Sequence, residues 1–155
     1  MAHPIVVVVD VQERLFNAVD AERRDDMVTN VKILVSAARR LGVPVLVTEP
    51  YPEGLGRTLP EVRSLLGEAP PFEKTAFSCA EADGFMLTAL DLLTRGLRVS
   101  IVADAVCSRR PANLEIGLGQ ARQAGAVVTA TETVVFQLLG SADSDAFREL
   151  SKLLR

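Results

Sequence analysis

A run of five β-branched residues near the start of the chain, residues 5–9, constrains the fold more than any other feature. An unbroken apolar run of this length predicts a strand covered on both faces, as in parallel sheets flanked by helices. The run ends at Asp10, and open parallel sheets bind ligands just beyond the carboxyl ends of their strands. Asp10 is therefore a candidate functional carboxylate, although a carboxylate here can also cap the next segment or simply end the strand.

The rest of the chain alternates between helical and strand patterns. The predicted helices span residues 25–41, 59–66, 84–95, 113–124, 131–139 and 144–154. The predicted strands span residues 5–9, 43–48, 72–79, 98–103 and 126–130. This alternation predicts an α/β fold, a three-layer αβα arrangement around a doubly wound parallel sheet, in a single domain over residues 1–155.

Composition and charge exclude several classes of function. A net charge of −3 without a cluster of arginines argues against a nucleic-acid interface. No apolar stretch is long enough to span a membrane, and the first strand begins too early to leave room for a signal peptide. With His3 as the single histidine and two cysteines, neither a metal site nor a Ser-His-Asp triad is expected. We expect a cytoplasmic protein without a cofactor.

Two further polar residues are candidates for chemistry. Lys74 lies in a predicted strand other than that of Asp10, so the fold can bring the two side chains together and keep the carboxylate ionised as a general base. The alternative is an ordinary ion pair. Cys79 follows Lys74 by five residues, and a nearby cation favours the thiolate, which makes Cys79 the better candidate nucleophile. We expect Cys107 to be an inert buried thiol and Asp104 to cap a helix.

Motifs along almost the whole chain resemble those of the isochorismatase-like hydrolases, especially the small isochorismatase-domain proteins. The resemblance rests on these segments: Val9-Asp10-Val11-Gln12-Glu13-Arg14, Leu41-Gly42-Val43-Pro44-Val45, Val47-Thr48-Glu49, Tyr51-Pro52, Glu73-Lys74-Thr75-Ala76-Phe77-Ser78, Thr88-Ala89-Leu90-Asp91-Leu92-Leu93, Val102-Ala103-Asp104-Ala105-Val106, Ala124-Gly125-Ala126 and Thr131-Glu132-Thr133-Val134-Val135-Phe136.

The resemblance implies an Asp–Lys–Cys site on the three-layer fold. Asp10 matches the general base of the family, and Lys74 matches the lysine that orients and stabilises it. In active relatives a thiolate attacks a carbonyl carbon, commonly that of an amide, and water releases the acyl enzyme. Isochorismate-cleaving members act on a vinyl ether and can dispense with the cysteine. The resemblance also leads us to expect a small-molecule substrate and a homo-oligomer.

The chain departs from the family pattern between Cys79 and Leu87. Family members have a strand here, followed by a turn with the nucleophilic cysteine at the start of the next helix, whereas this helix starts with Asp83-Gly84-Phe85-Met86. The missing piece is about one helix and one strand in size. In the family that strand is central and lies next to the one ending in Asp10. We therefore expect a sheet that is one central strand short, closed by direct pairing of the strands at residues 5–9 and 98–103.

Two functional interpretations follow from this departure. The first is a hydrolase of a small amide or related carbonyl compound that uses Asp10 and Lys74, with Cys79 as a substitute nucleophile. The second is a catalytically inactive relative that serves as a scaffold or interaction protein. Nucleotide binding is disfavoured because no glycine-rich loop follows the first strand. Phe16, Tyr51 and Phe77 can line a small apolar pocket, although aromatic residues are more often simple packing.

Overall fold

The computed structural model describes residues 3–67 and 84–154. Its strands are β1 (Val6–Val9), β2 (Val45–Thr48), β3 (Ser100–Val102) and β4 (Val127–Thr129). Its helices are α1 (Glu13–Phe16), α2 (Ala21–Arg40), α3 (Pro52–Leu55), α4 (Pro60–Leu66), α5 (Gly84–Thr94), α6 (Pro111–Gln123), α7 (Thr131–Leu139) and α8 (Asp145–Leu150). A short 3-10 turn, Ala103–Ala105, follows β3. The strand predicted at residues 72–79 lies outside the described residues.

The described strands all pair in parallel. β1 pairs with β2, with Val9 opposite Thr48, and β3 pairs with β4, with Ser100 opposite Val127. Helices on both sides complete the αβα arrangement, which confirms the predicted fold class. However, the described strands form two two-stranded sheets, β1-β2 and β3-β4. The predicted direct pairing of β1 with β3 is therefore wrong in the described part of the chain.

Helix α2 connects the two sheets. It packs against β1 and β2 and also against the 3-10 turn that follows β3, as well as α4, α7 and α8. Helices α5 and α6 cover β3 and β4 through a separate apolar cluster that contains Ala89, Ile101, Ala121 and Ala126. Helix α2 therefore covers one face of the first sheet, and α5 and α6 cover the second sheet.

Helix α2 begins four residues before the predicted start. Asp20 is the N-cap residue, and its carboxylate accepts the Arg23 N–H at 3.5 Å. The prediction followed the apolar spacing, which starts only at Met27, and so it missed the polar first turn that the cap stabilises. In contrast, the predicted bounds of α7 are confirmed. For the last helix the sequence offers Ser144 or Asp143 as N-cap, and the structure has Ser144, whose hydroxyl accepts the Phe147 N–H.

The two faces of β1 differ in burial, so the prediction of a strand covered on both faces is wrong. Val8 is 6% exposed and belongs to the core beneath α2. Ile5 and Val7, which point to the opposite side, are 54% and 38% exposed. The apolar run correctly predicts a parallel strand, but such a run does not ensure that both faces of the strand are buried.

Asp104 caps a helix, as predicted, but the helix is α7 rather than the next one along the chain. Its carboxylate accepts hydrogen bonds from the Thr131 N–H at 2.9 and 3.2 Å and from the Thr131 hydroxyl at 2.9 Å. The Asn30 side chain of α2 donates to the Asp104 carbonyl oxygen at 2.7 Å. Asp104 thus connects the end of β3 to α7 and to α2.

We expect Asp104→Ala to lower the free energy of unfolding by about 1–2 kcal/mol, because the buried N–H and hydroxyl of Thr131 lose their acceptor. Urea denaturation followed by circular dichroism measures this change. Asp143→Ala, which removes an exposed carboxylate, is the matched control. An equal loss of stability in the two variants would contradict the capping role.

Candidate active site

The carboxyl ends of β1 and β2 place Asp10 beside Thr48. The Asp10 N–H donates to the Thr48 carbonyl oxygen at 3.2 Å, which continues the strand ladder by one residue. The Thr48 hydroxyl donates to Asp10 Oδ1 at 2.7 Å. Asp10 has a φ of +56°, a left-handed conformation that few non-glycine residues adopt. The strand pairing and this hydrogen bond together hold the half-buried carboxylate in one orientation.

Gln12 fastens the loop after β2 to the segment after Asp10. Its side chain is fully buried, and its Nε2 donates to the carbonyl oxygens of Pro50 at 3.1 Å and Gly56 at 2.6 Å. Its Oε1 has no hydrogen-bond partner among the described residues. Burying this amide costs free energy unless it is hydrogen-bonded. Because residues 50–56 supply the two acceptors, these hydrogen bonds hold the loop in its path.

Glu49 is a buried carboxylate that organises the same loop from the other side. It is 1% exposed, and it accepts the Thr58 N–H at 2.8 Å and Arg57 Nη1 at 3.3 Å. Burial by itself raises the pKa of Glu49, but hydrogen bonds from Thr58 and Arg57 and the positive charge of Arg57 outweigh it. The net effect lowers the pKa below its ordinary value of 4.5. Glu49 is therefore held as a carboxylate.

A wide cleft opens beside Asp10. Its volume is about 1830 Å³, and its walls include the strands β1 and β3 and part of α5. Asp10, Arg14 and Tyr51 line it near the carboxyl end of β1, and Cys107 lines it from the segment after β3. The two strands that were expected to pair thus face a common open space. The lining is mostly apolar, with polar groups that include Asp10 and Arg14. At about 1830 Å³ the cleft is larger than the roughly 300–1,000 Å³ of most small-molecule pockets, because it includes the space between β1 and β3.

The structure places some of the predicted site residues and leaves others untested. Asp10 is at the cleft as expected, whereas Lys74, Cys79 and Phe77 lie outside the described residues, so the Asp–Lys–Cys site stays a prediction. Phe16 and Tyr51 line the cleft, as predicted, and Phe16 also belongs to the buried core. Cys107 is half-buried and packs against the same core, although it also reaches the cleft.

Three contributing residues had no role assigned from sequence: Gln12, Thr48 and Glu49. Each is a polar side chain within or directly after a buried strand, and each is nine-tenths or more buried. Buried polar side chains need hydrogen-bond partners. A polar residue within or next to an apolar strand is therefore the sequence signal that could have identified these three residues. The partners themselves come from the loop at residues 50–58, and a sequence pattern does not identify them.

Comparison with known proteins identifies the family. The isochorismatase domain model matches residues 4–87, which is more than half of the chain. The chain belongs to the isochorismatase domain family. Isochorismatase domain-containing protein 2 from Bos taurus is 36% identical over 144 residues, covering 79% of this chain and 70% of the relative.

Solved structures agree with this assignment. The structure of MAR1 ribonuclease from Caenorhabditis elegans superposes with a TM-score of 0.86 at 33% identity, over 97% of this chain and 88% of that one. The YcaC gene product from Escherichia coli, described as an octameric hydrolase of unknown specificity, gives a TM-score of 0.82 at 19% identity, over 97% and 85% of the two chains. The second similarity concerns the fold alone.

The alignment to the bovine relative also measures what this chain lacks. It spans 144 positions, whereas 79% of a 155-residue chain is about 122 residues, so about 22 positions of the relative have no counterpart here. The family model stops matching at residue 87, where the sequence motifs also break. The number of unmatched positions agrees with the loss of about one helix and one strand.

Within residues 3–67 and 84–154, no group of three or more acidic, cysteine or histidine side chains could hold a metal ion. In the same ranges, no helix is long and apolar enough to cross a membrane.

We expect Glu49→Gln to lower the free energy of unfolding at neutral pH by about 1–3 kcal/mol, because hydrogen bonds to a charged group are lost. A carboxylate with a lowered pKa stabilises the fold above its unfolded-state value of 4.5, and this contribution disappears as the pH falls through the folded-state pKa. The difference between wild type and variant should therefore narrow in acid.

Thermal unfolding between pH 7 and pH 3 measures this dependence. Glu115→Gln, at an exposed position in α6, is the control and should follow the wild-type profile. A Glu49→Gln variant that loses stability in acid as steeply as the wild type would contradict the assignment.

Proposed function

We propose that this protein is a hydrolase of small amides or related carbonyl compounds, with Asp10 as its general base. The observation that carries the proposal is the constrained carboxylate. Asp10 has a left-handed backbone, accepts the Thr48 hydroxyl at 2.7 Å and lines a cleft of about 1830 Å³. Strained residues that the surrounding structure holds in place are concentrated at functional sites. Membership of a family of hydrolases supports the same reaction class.

Lys74 and Cys79 complete the proposed chemistry. Lys74 holds Asp10 as a carboxylate, and Asp10 takes the proton of the Cys79 thiol. The thiolate adds to the substrate carbonyl carbon, and the C–N bond breaks as the protonated Asp10 gives its proton to the leaving amine. Water then adds to the thioester while Asp10 accepts its proton. The C–S bond then breaks, the acid is released, and Asp10 returns the proton to the sulfur.

A thiol-labelling experiment tests the proposed nucleophile. The chain has two cysteines, so Cys107→Ala leaves Cys79 as its single thiol. We expect iodoacetamide to label this variant quickly at neutral pH and to label it at least tenfold more slowly when Asp10→Asn is added, because the thiol has lost its base. The matched control is Cys79→Ser, in which the half-buried Cys107 should react slowly. Equal, slow labelling with and without Asp10 would contradict the proposal.

Turnover is the second test. We expect ammonia release from at least one member of a panel of small amides, with kcat reduced about 10²–10⁴-fold by Asp10→Asn. Asp143→Asn, at an exposed carboxylate, should be unaffected. An RNA substrate belongs in the panel because the related Caenorhabditis elegans structure is named a ribonuclease. RNA cleavage without amide cleavage would overturn the proposed substrate class.

A scaffold or interaction protein is the second candidate function. The observation that favours it is the separation of β1 from β3, because a site built between strands depends on the sheet that carries it. A protein that folds stably, turns over no amide and shows no Asp10-dependent thiol labelling would support this candidate over the hydrolase.

We also propose that the protein is a homo-oligomer. Large apolar side chains are exposed on several surfaces, including Ile116, Val127 and Phe136. Exposed apolar surface favours association, and the structurally similar Escherichia coli protein is described as octameric. Sedimentation of the purified chain at micromolar concentration should give a mass above that of the 16.7 kDa monomer. A monomer at all concentrations would exclude it.

A further inference from the structure

Tyr51 occupies an unusual backbone position at the mouth of the cleft. It lies between two prolines and has φ 43° and ψ 60°, in the left-handed region. This region is unfavourable for a non-glycine residue, and a following proline disfavours helical backbone angles further. Such a conformation is strained and persists only where neighbouring contacts enforce it.

Gly54 allows the Tyr51 ring to lie against the loop backbone. A Cβ atom added at Gly54 would lie 1.8 Å from Tyr51 Cε1 and 2.3 Å from Cδ1, so the ring occupies the space of the missing side chain. The Gly54 and Leu55 N–H groups both donate to the Tyr51 carbonyl oxygen, at 3.0 and 2.9 Å. One side of the ring therefore packs against the loop, while Tyr51 as a whole remains 49% exposed.

The segment after Asp10 holds this loop at three points. Gln12 Nε2 donates to the carbonyl oxygens of Pro50 and Gly56, and Arg14 Nη1 donates to that of Gly54 at 2.9 Å. Asp10 itself pairs with Thr48, three residues before Tyr51. Asp10 and Tyr51 therefore lie in two segments that these hydrogen bonds connect, and both residues line the same cleft.

We propose that Tyr51 determines substrate specificity at the Asp10 site by stacking against a planar, unsaturated acyl group. A large aromatic side chain held by strained backbone, but left half exposed in a cleft, is suited to bind a ligand rather than to fill the core. Flat groups that stack on such a ring bind about two- to tenfold better than saturated groups of the same size. This inference rests on the proposed hydrolase function for the reaction but not for the binding.

A binding measurement tests the inference independently of turnover. Tyr51 is the single tyrosine in the chain, so fluorine NMR of protein labelled with fluorotyrosine gives one resonance that reports on this ring. We expect titration with benzamide to shift it, and cyclohexanecarboxamide, which has the same number of carbon atoms but no flat ring, to shift it far less. No shift with either amide would overturn the inference whether or not the protein is a hydrolase.

Variants separate a stacking role from a structural one. Tyr51→Leu should weaken benzamide binding, measured by calorimetry, about two- to tenfold and leave cyclohexanecarboxamide binding unchanged. Tyr51→Phe should restore the preference for benzamide. Gly54→Ala should displace the ring and act like Tyr51→Leu, whereas Gly119→Ala, which has nothing within 4 Å of the added Cβ, is the matched control.

Turnover distinguishes failure of the inference from failure of the proposed function. If the hydrolase proposal holds, Tyr51→Leu should raise KM for the flat amide and leave kcat nearly unchanged, while Asp10→Asn lowers kcat. Absence of amide hydrolysis with a Tyr51-dependent benzamide affinity would reject the hydrolase and keep the binding site. Hydrolysis of flat and saturated amides without a preference for the flat one would reject the specificity role. A Tyr51→Leu variant that loses only thermal stability would also reject it.

Discussion

The buried face of α2 is the constraint on which the rest of the structure depends. Seven of its residues are buried, and they contact both strands of the first sheet, the 3-10 turn after β3 and helices α4, α7 and α8. Because the two sheets share no ladder hydrogen bonds in the described part of the chain, their relative position depends on side-chain packing against this helix. Asn30 adds a polar connection from α2 to Asp104.

The candidate site depends in turn on two buried polar side chains. Gln12 and Glu49 approach the loop at residues 50–58 from adjacent strands, and each hydrogen-bonds loop backbone groups. The arrangement uses buried polar groups to position the loop beside the carboxylate, while the apolar residues of α2 supply the stability.

The sequence predicted the features that depend on local pattern. The strand before Asp10, the bounds of α7 and the capping role of Asp104 all follow from periodicity or residue type, and the structure agrees with them. The helix that Asp104 caps could not be predicted, because Thr131 lies 27 residues away and is brought close only by the fold. The left-handed backbones of Asp10 and Tyr51 were equally inaccessible, since both residue types occur far more often in extended conformations. The predicted pairing of β1 with β3 is wrong because each of these strands pairs with a different neighbour and the two face a common cleft.

The separation of the two ladders has a consequence for how the protein opens. Backbone amides in β1 and β2 are protected by one set of hydrogen bonds, and those in β3 and β4 by another. Amide hydrogen exchange reports cooperative units, and strands that share no ladder can open at different free energies. The half of the molecule that carries Asp10 and Tyr51 can therefore exchange its amides as a separate unit. Packing against α2 sets how strongly the opening of this half is coupled to the opening of the other half.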